Sequence, residues 1–160
     1  MGVYFLDTSA IIKCYFSEPG HFWALNLCDP VQGHDLYISQ AALVEVVATI
    51  CRKAREQKMP INDRDKLITT FRRDCRNIYG IKRVTNAVYA FAGDLCRLHK
   101  LRAYDAVQLA CVLGLRTAAW ASQSPSLIFV TADRDLIAIA TTEGLRTEDP
   151  ENYPQVHTSV

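Results

Sequence analysis

The stretch Val3-Tyr4-Phe5-Leu6-Asp7-Thr8-Ser9 opens the chain with four apolar residues, an acid and two hydroxyl residues. A short apolar run of this kind predicts a buried β-strand, Val3–Leu6, that ends at Asp7. A second such run, residues 127–131, precedes Asp133. Apolar runs alternate with helical periodicity along the whole chain. This alternation predicts an α/β fold with a central, mostly parallel sheet of four to five strands flanked by helices.

The same interpretation gives the remaining elements. We expect further strands at Asp35–Ser39, 81–84 and 145–147, and helices at 8–16, His21–Cys28, 41–58, 62–79, 85–99, 104–120 and 134–143. Thr8 or Ser9 can cap the first of these helices, Asn62 or Asp63 can cap the fourth, and Gly80 can end it. The chain contains no repeat, low-complexity segment or interdomain linker.

Four carboxylates occupy positions that such a sheet brings together. Asp7 and Asp133 follow strands, while Glu45 and Asp105 lie near the starts of two helices. Ligands of open α/β sheets bind beyond the carboxyl ends of the strands, so we expect the four side chains to converge there. Converging carboxylates repel one another unless a cation lies among them. We therefore predict that they form a divalent-metal site that is also the catalytic centre.

The chemistry predicted for this site is hydrolysis of a phosphodiester. Oxygen ligands suit Mg²⁺ or Mn²⁺, which can lower the pKa of a water that attacks in line. Ser9 and Thr131 are short hydroxyl residues that can orient a ligand or a water. Asp135 is a further supporting candidate, although an acid at a helix start is more often a cap or a partner of the helix dipole.

Each acid also has a purely structural interpretation. Asp7 and Asp133 are placed to cap helices or turns, and Glu45 can be a solvated helical residue. Asp105 is harder to explain in this way, because a buried charge among Ala, Val, Leu and Cys needs a partner.

Length and composition restrict the class of protein. With 160 residues, 49% of them apolar and 22% charged, the chain predicts one globular domain, residues 1–150, and a loosely ordered tail, residues 151–160. It lacks a signal-peptide pattern and any apolar run of roughly 18 residues, so we expect a cytoplasmic protein without a membrane partner. Six scattered Cys predict free thiols, and four His lack zinc-ligand spacing.

The net charge of +1 conceals a strong asymmetry. Residues 52–102 contain 14 Lys and Arg against 5 Asp and Glu, whereas the rest of the chain contains 4 against 12. Such segregation is typical of a polyanion binder with an acidic catalytic centre, although two solvated Arg-rich helices give the same count. We predict that contacts with the phosphate backbone come from among six residues: Arg52, Arg55, Lys58, Arg72, Arg73 and Arg76.

Four segments resemble the acidic motifs of the PIN-domain family and occur in the family's order. Each contains one of the four carboxylates: residues 4–10 (YFLDTSA), 43–46 (LVEV), 101–110 (LRAYDAVQLA) and 129–136 (FVTADRDL). One such motif is a weak signal, whereas four in the right order are specific. The resemblance covers nearly the whole chain, from about residue 3 to residue 147.

The resemblance implies a PIN fold, with Asp7, Glu45, Asp105 and Asp133 as metal-binding residues, and Mg²⁺- or Mn²⁺-dependent ribonuclease activity. Among PIN proteins, the chain looks most like the VapC-type toxins of prokaryotic type II toxin–antitoxin systems. That likeness implies an RNA substrate, a homodimer and a cognate antitoxin that reaches into the site. The helical pair at 41–79 is longer and more basic than in the compact toxins. A stand-alone PIN ribonuclease is therefore an alternative interpretation.

Three other classes of protein share part of this sequence pattern. A PIN-like module that binds RNA or a protein without cutting is the main rival, because four intact acids do not by themselves prove turnover. Phosphatases of the haloacid-dehalogenase type need a second Asp where this chain has Ser9. Response-regulator receiver domains need an acidic pair and a Lys near a strand end, and neither is evident.

Overall fold

Five parallel strands form a single sheet in the computed structural model, which describes residues 2–121 and 127–153. The strands are β1 (Val3–Leu6), β2 (Asp35–Ser39), β3 (Tyr79–Lys82), β4 (Leu127–Val130) and β5 (Arg146–Glu148). Their order across the sheet is β3-β2-β1-β4-β5, and every neighbouring pair is parallel. The predicted α/β fold class is confirmed.

Seven α-helices lie within the described residues. They are α1 (Thr8–Ile11), α2 (His21–Cys28), α3 (Ala42–Glu56), α4 (Ile61–Asn77), α5 (Asn86–Leu98), α6 (Ala103–Ala121) and α7 (Arg134–Thr142). Short 3-10 helices occupy Ile12–Cys14, Pro30–Gln32 and Pro150–Asn152. The helices cover both faces of the sheet and create a hydrophobic core on each.

Neighbouring residues of β1 enter different cores, because side chains alternate across a strand. Phe5 packs in the core built with α5, α6 and α7, where its ring centroid lies 6.0 Å from that of Phe129. Leu6 packs in the opposite core, together with Ile50 of α3 and Phe71 of α4. Burial on both faces explains why the strands are continuous apolar runs rather than alternating ones.

The central strand β1 is the point at which the sheet order changes direction. β2 and β3 lie on one side of it, and β4 and β5 lie on the other. In open α/β sheets, such a switch leaves a crevice at the carboxyl ends of the strands. Leu6 pairs with Val130 in the register of β1 and β4, so Asp7 and Thr131 leave the sheet side by side.

The first predicted helix is shorter than expected and is capped by a different residue. α1 ends at Ile11, and the chain continues as the 3-10 helix Ile12–Cys14. The prediction that Thr8 or Ser9 provides the cap is wrong, because the Asp7 carboxylate accepts the hydrogen bond from the Ala10 N–H. The two hydroxyl groups instead donate to acids, Thr8 to Glu45 and Ser9 to Asp7.

The start of α4 is set by a proline. Pro60 occupies the N-cap position with φ −56°, and the helix has no side-chain cap, so the prediction that Asn62 or Asp63 caps it is wrong. Asp63 lies in the first turn, where its backbone N–H donates to the carbonyl of Pro60 at 3.0 Å. The fixed φ of proline suits the entry to a helix without a hydroxyl or carboxylate cap.

Gly80 belongs to a strand, and the prediction that it ends the preceding helix is wrong. α4 ends at Asn77, and β3 begins at Tyr79, two residues earlier than expected. Gly80 pairs with Tyr37 of β2, and a Cβ atom at position 80 would lie 2.6 Å from the Tyr37 ring. A glycine is therefore needed here for close approach between strands.

Part of the predicted tail packs against the domain. Residues Pro150–Asn152 form a 3-10 helix in which Pro150 is buried, and the ring of Tyr153 stacks on Trp23 with centroids 4.9 Å apart. Residues 154–160, the rest of that tail, lie outside the described residues. The division into a domain of residues 1–150 and a tail stays a prediction.

The cysteines and the helices bear on the predicted chemistry and environment of the chain. All six Cys, each of them within the described residues, are free thiols, although the sulfur atoms of Cys14 and Cys28 lie 3.6 Å apart. In the part of the chain that the structure describes, no helix is both long enough and apolar enough to cross a bilayer.

Candidate active site

The four predicted carboxylates line one cavity of about 380 Å³ at the carboxyl edge of the sheet. Asp7 follows β1, and Asp133 follows β4 after two residues. Glu45 and Asp105 lie in the first turns of α3 and α6. The structure therefore brings together segments far apart in sequence, while the catalytic and metal-binding roles of these acids stay predictions.

Asp7 is the most deeply buried of the four, with 4% of its surface exposed. Its Oδ1 accepts hydrogen bonds from Ser9 Oγ (2.7 Å) and the Ala10 N–H (2.9 Å), and its Oδ2 accepts one from Thr131 Oγ1 (2.8 Å). Burial raises the pKa of Asp7 to about 6, and the three donors limit the rise. Asp7 thus caps α1 and also lines the cavity.

Ser9 and Thr131 tie together the two turns that follow β1 and β4. Besides donating to Asp7, Ser9 Oγ accepts a hydrogen bond from the Ala132 N–H (2.8 Å), and Thr131 Oγ1 accepts one from the Asp133 N–H (3.1 Å). The two hydroxyl oxygens lie 3.3 Å apart. Through these bonds, both hydroxyl groups hold acids in place, while the supporting role of Ser9 and Thr131 in the site stays a prediction.

Glu45 is held by two donors that the sequence analysis missed. Its Oε2 accepts hydrogen bonds from Thr8 Oγ1 (2.8 Å) and Gln108 Nε2 (2.7 Å). Burial raises the pKa of Glu45, the two donors oppose the rise, and the charge of Asp105 adds to it. Gln108 follows Asp105 by three residues on a helix, a spacing that places both on one face and could have identified it.

Arg102 lies against Asp105 and Asp133. Its Nε is 3.7 Å from Asp105 Oδ2, and one terminal nitrogen is 3.9 Å from Asp133 Oδ2. Asp133 Oδ1 accepts from the N–H groups of Asp135 and Leu136, so one of its oxygens caps α7 while the other faces the arginine. Burial raises the pKa of Asp105, Arg102 opposes the rise, and Asp133 adds to it.

The donor chemistry of the cavity suits a hard divalent cation. Four carboxylates offer oxygen ligands, and Gln108 Oε1 is buried without a hydrogen-bond partner among the described residues. A cation would also relieve the repulsion that helps to raise the pKa values of Glu45 and Asp105. As the side chains stand, no three Asp, Glu, His or Cys in the described ranges converge closely enough to hold an ion. Ion binding therefore requires some of the carboxylates to turn toward a common centre.

Four basic side chains rim the same cavity: Lys13, Arg52, Lys53 and Arg102. Of these, only Arg52 is among the predicted phosphate contacts. Helical spacing could have found Lys53, because Thr49, Arg52 and Lys53 follow Glu45 by four, seven and eight residues and share its face of α3. Lys13 could not be identified in this way, since it lies in a 3-10 segment.

The other five predicted phosphate contacts lie outside the lining of this cavity. Arg55 and Lys58 are exposed near the end of α3, and Arg72, Arg73 and Arg76 are exposed on α4. Arg73 pairs with the neighbouring Asp74 at 3.3 Å. Their role in RNA binding stays a prediction.

A buried ion cluster forms one wall of the cavity. Lys13 has 2% of its side chain exposed, and its Nζ donates to Glu151 (2.8 Å), Glu18 (3.4 Å) and the carbonyl of Pro19 (2.8 Å). Glu18 also pairs with Lys53 of α3. The cluster therefore joins α3, the loop before α2 and the segment after β5 at the rim of the site.

Asp135, the remaining candidate, is exposed in the first turn of α7. It does not line the cavity of the four acids, but it lines a neighbouring cavity that also reaches Asp105 and Asp133. Its placement fits an acid beside the N-terminus of a helix and leaves its role in the site a prediction.

Comparison with known proteins identifies the family. The sequence profile of the PIN domain matches residues 4–141. Ribonuclease VapC45 of Mycobacterium tuberculosis (strain CDC 1551 / Oshkosh) is 31% identical over 158 residues, which cover 96% of this chain and 100% of that protein. The match extends over nearly all of both chains and not over the motifs alone.

Solved structures share the fold at low sequence identity. VapBC2 from Rickettsia felis, bound to a DNA fragment from its promoter, superposes with a TM-score of 0.56 at 16% identity, covering 92% of this chain and 98% of that one. A toxin–antitoxin complex from Klebsiella pneumoniae gives 0.56 at 17% identity, with 97% and 100% covered. At these identities the likeness shows the fold alone.

Proposed function

Since the chain belongs to the PIN domain family, we propose that it is a metal-dependent endoribonuclease that hydrolyses RNA phosphodiester bonds. The observation that supports this most directly is the meeting of four carboxylates with Arg52, Lys53 and Arg102 in one cavity at the switch point of the sheet. Acids that can hold a divalent cation, beside cations that can hold phosphates, are what hydrolysis of a polyanion requires. A relative named ribonuclease, 31% identical to this chain, supports RNA as the substrate.

In this proposal, Asp7, Glu45, Asp105 and Asp133 hold Mg²⁺ or Mn²⁺. Bound Mg²⁺ or Mn²⁺ supplies positive charge that lowers the pKa of a water nucleophile and offsets the charge on the phosphate. The protein contributes the carboxylates and the hydrogen bonds that hold two of them in place. Hydroxyl and amide donors, described above, hold the two most enclosed acids, so these need little reorganisation when they meet the ion.

The basic residues have the task of holding RNA. Arg52, Lys53 and Arg102 lie at the cavity and bind phosphates close to the bond that is cut. Arg55 on α3, Lys58 just after it and the three Arg residues of α4 predicted from the sequence extend this contact along the RNA backbone. Arg102 has 86% of its side chain exposed, so it can leave Asp105 and Asp133 to meet a phosphate.

We further propose that the protein is the toxin of a type II toxin–antitoxin pair. Its 31% identical relative is named VapC45, and one of the structures that shares its fold is a toxin–antitoxin complex. The partners in this proposal are an RNA substrate, a cognate antitoxin protein and a second copy of the chain as a homodimer. The proposal places the protein in the cytoplasm, where RNA and antitoxin meet.

The test is RNA cleavage by purified protein that carries no inhibitor. We expect cutting with Mg²⁺ or Mn²⁺, none in EDTA, and a loss of at least about 100-fold in Asp7→Asn and Asp105→Asn. Asp94→Asn is the matched control, because Asp94 has 66% of its side chain exposed and pairs with Arg97 on α5, away from the cavity. Its activity should equal that of the wild type.

Protein that binds RNA but cuts none with either metal would contradict the nuclease proposal and support a non-cleaving module. The toxin proposal is tested separately, by co-expressing the gene next to this one and measuring growth and cleavage. If the neighbouring product neither binds the protein nor suppresses its activity, a stand-alone PIN ribonuclease is the better description.

A further inference from the structure

A second cavity of about 370 Å³ adjoins the active site. Cavities that bind small molecules range from roughly 300 to 1,000 Å³, so this one is large enough for a compact ligand. It shares three residues with the first cavity: Arg102, Asp105 and Asp133. An RNA strand whose scissile phosphate lies at Asp105 and Asp133 can therefore extend into both cavities, one on each side of the cut.

The lining of the second cavity combines the groups that a nucleotide needs. Leu101 and Ile139, which are both partly exposed, form an apolar surface that can cover the face of a base. Lys100 is exposed at the same cavity and, with Arg102, supplies positive charge for a phosphate.

Asp135 gives this cavity a means of choosing the base. Its carboxylate is exposed, lines the cavity, and is an acceptor with no donor group of its own when ionised. Carboxylates accept hydrogen bonds from the exocyclic amine of cytosine, whereas the corresponding position of uracil carries an acceptor oxygen. The same carboxylate therefore attracts cytosine and repels uracil.

We propose that this second cavity is a nucleotide subsite next to the scissile phosphate, with a preference for cytosine over uracil set by Asp135. The base packs against Leu101 and Ile139, and its phosphate is held by Lys100 and Arg102. This inference rests on the proposed ribonuclease function, because it needs an RNA strand that crosses the acidic centre.

The first experiment titrates cytidine and uridine 5′-monophosphates into the full chain in Mg²⁺ buffer and follows backbone amides by NMR. We expect the amides of Leu101 and Ile139 to shift, with cytidine monophosphate binding about fivefold more tightly than uridine monophosphate, as one partly exposed hydrogen bond to a charge predicts. Shifts confined to the first cavity, such as at Thr49, or equal affinity for the two nucleotides, would overturn the proposal.

Two variants separate the parts of the subsite. Asp135→Ala should remove the difference between the two nucleotides, whereas Lys100→Ala should weaken both by the same factor. Lys66→Ala is the matched control, since Lys66 is 76% exposed on α4 and should change neither affinity. An unchanged preference in Asp135→Ala contradicts the assignment of Asp135, and unchanged affinities in Lys100→Ala contradict the phosphate contact.

Cleavage reports on the same subsite in the intact reaction. Asp135→Ala should cut oligonucleotides with less preference for cytosine over uracil at one position beside the cut, with the preference at the opposite side unchanged. The monophosphate titration needs no turnover, so the two proposals can fail independently. If the protein cuts no RNA but still binds cytidine monophosphate at Leu101, the ribonuclease proposal is contradicted and the nucleotide-binding cavity is supported. If the protein cuts RNA but the amides of Leu101 and Ile139 do not shift, only the subsite proposal is contradicted.

Discussion

Asp7 has a dual role that explains its unusual environment. As the cap of α1 it accepts the Ala10 N–H, and as the first residue after the central strand it lies at the cavity. Its burial disfavours the ionised form, which is the form that binds a cation. The hydrogen bonds from Ser9 and Thr131 limit this cost without removing it, since the pKa remains raised, at about 6.

The raised pKa of Asp7 predicts a specific pH dependence of stability in the absence of metal. A folded-state pKa of about 6 against 3.8 unfolded means that Asp7 contributes stability that is fully present below pH 3.8 and is lost as the pH rises through about 6. In the Asp7→Asn variant, the asparagine side chain does not ionise, so the variant does not lose stability in this way. Between about pH 4 and pH 7, the free energy of unfolding of Asp7→Asn should therefore rise by roughly 2 kcal/mol relative to that of the wild type.

Urea unfolding of both proteins in EDTA, at several pH values across this range, measures the difference. Asp94→Asn is the control, and its difference from the wild type should stay constant with pH. Parallel stability curves for Asp7→Asn and the wild type would show that Asp7 has an ordinary pKa.

Thr131 should control the ionisation of Asp7. Thr131→Val removes the hydroxyl group between Asp7 and Asp133 and leaves a carboxylate oxygen and an N–H without their partner, at a cost of about 1–3 kcal/mol in stability. Removal of this donor also raises the pKa of Asp7 further, so the acid limb of the pH profile of kcat/KM should move to higher pH. Thr131→Ser keeps the hydroxyl and should leave the acid limb in place; identical profiles for Ser and Val would contradict this role.

The sequence identified the acids more reliably than the residues that hold them. Asp7 and Asp133 were recognisable because strand ends of a parallel sheet share one edge. Gln108 was not recognised, because a glutamine in an apolar helix is compatible with many partners. Lys13 was missed for a related reason: its partner Glu151 is 138 residues away, and no local pattern encodes such a contact.

At the scale of elements, the sequence predicted the existence of helices and strands better than their ends. β1, β2 and α2 have the predicted bounds, because the residues that flank them give local and unambiguous signals. The start of β3 was predicted two residues too late, because a glycine such as Gly80 can either end a helix or allow two strands to approach closely. The ring of Tyr37, which decides between them, belongs to another strand. Tertiary contacts thus override the local signal.

The Lys13 cluster joins α3, the loop before α2 and the segment after β5 by ion pairs and a hydrogen bond. Lys13→Met removes the buried cation that holds the loop before α2 to the segment after β5. Glu151 is partly exposed and Glu18 keeps its contact with Lys53, so we expect a loss of about 2 kcal/mol, less than for a fully buried pair. The free energy of urea unfolding at neutral pH measures it.

Lys66→Met provides the matched control for this experiment. Lys66 pairs with Asp63 on the surface of α4, with 76% and 53% of the two side chains exposed, and such pairs contribute under about 1 kcal/mol. If both variants lose the same free energy of unfolding, the Lys13 cluster lines the cavity without adding to the stability of the fold.

At the scale of the whole molecule, the charge asymmetry has a spatial meaning. The excess of Lys and Arg lies in residues 52–102, which include the end of α3, α4 and the residues before α6. α3 and the residues before α6 bring part of this positive region to the cavity through Arg52, Lys53 and Arg102, opposite acids contributed mainly by the rest of the chain. A polyanion attracted to the basic region is thereby delivered to the acidic centre.

This arrangement predicts how RNA binding depends on salt. For single-stranded RNA, the slope of log K against log salt falls by about 0.7 for each phosphate-binding charge that a substitution removes, so the double variant Arg52→Gln/Lys53→Gln should reduce it by about 1.4. The pair Arg72→Gln/Arg73→Gln on α4 should reduce the slope less, since neither residue lines the cavity.

Binding of a labelled RNA oligonucleotide at several salt concentrations gives both slopes, and an Asp7→Asn background prevents cleavage during the measurement. A larger change from the α4 pair than from the α3 pair would mean that RNA approaches over α4 and that the rim of the cavity contributes little. An unchanged slope in the α3 pair would contradict phosphate binding at the rim. The two pairs carry the same change in charge, so any difference between them reports position and not net charge.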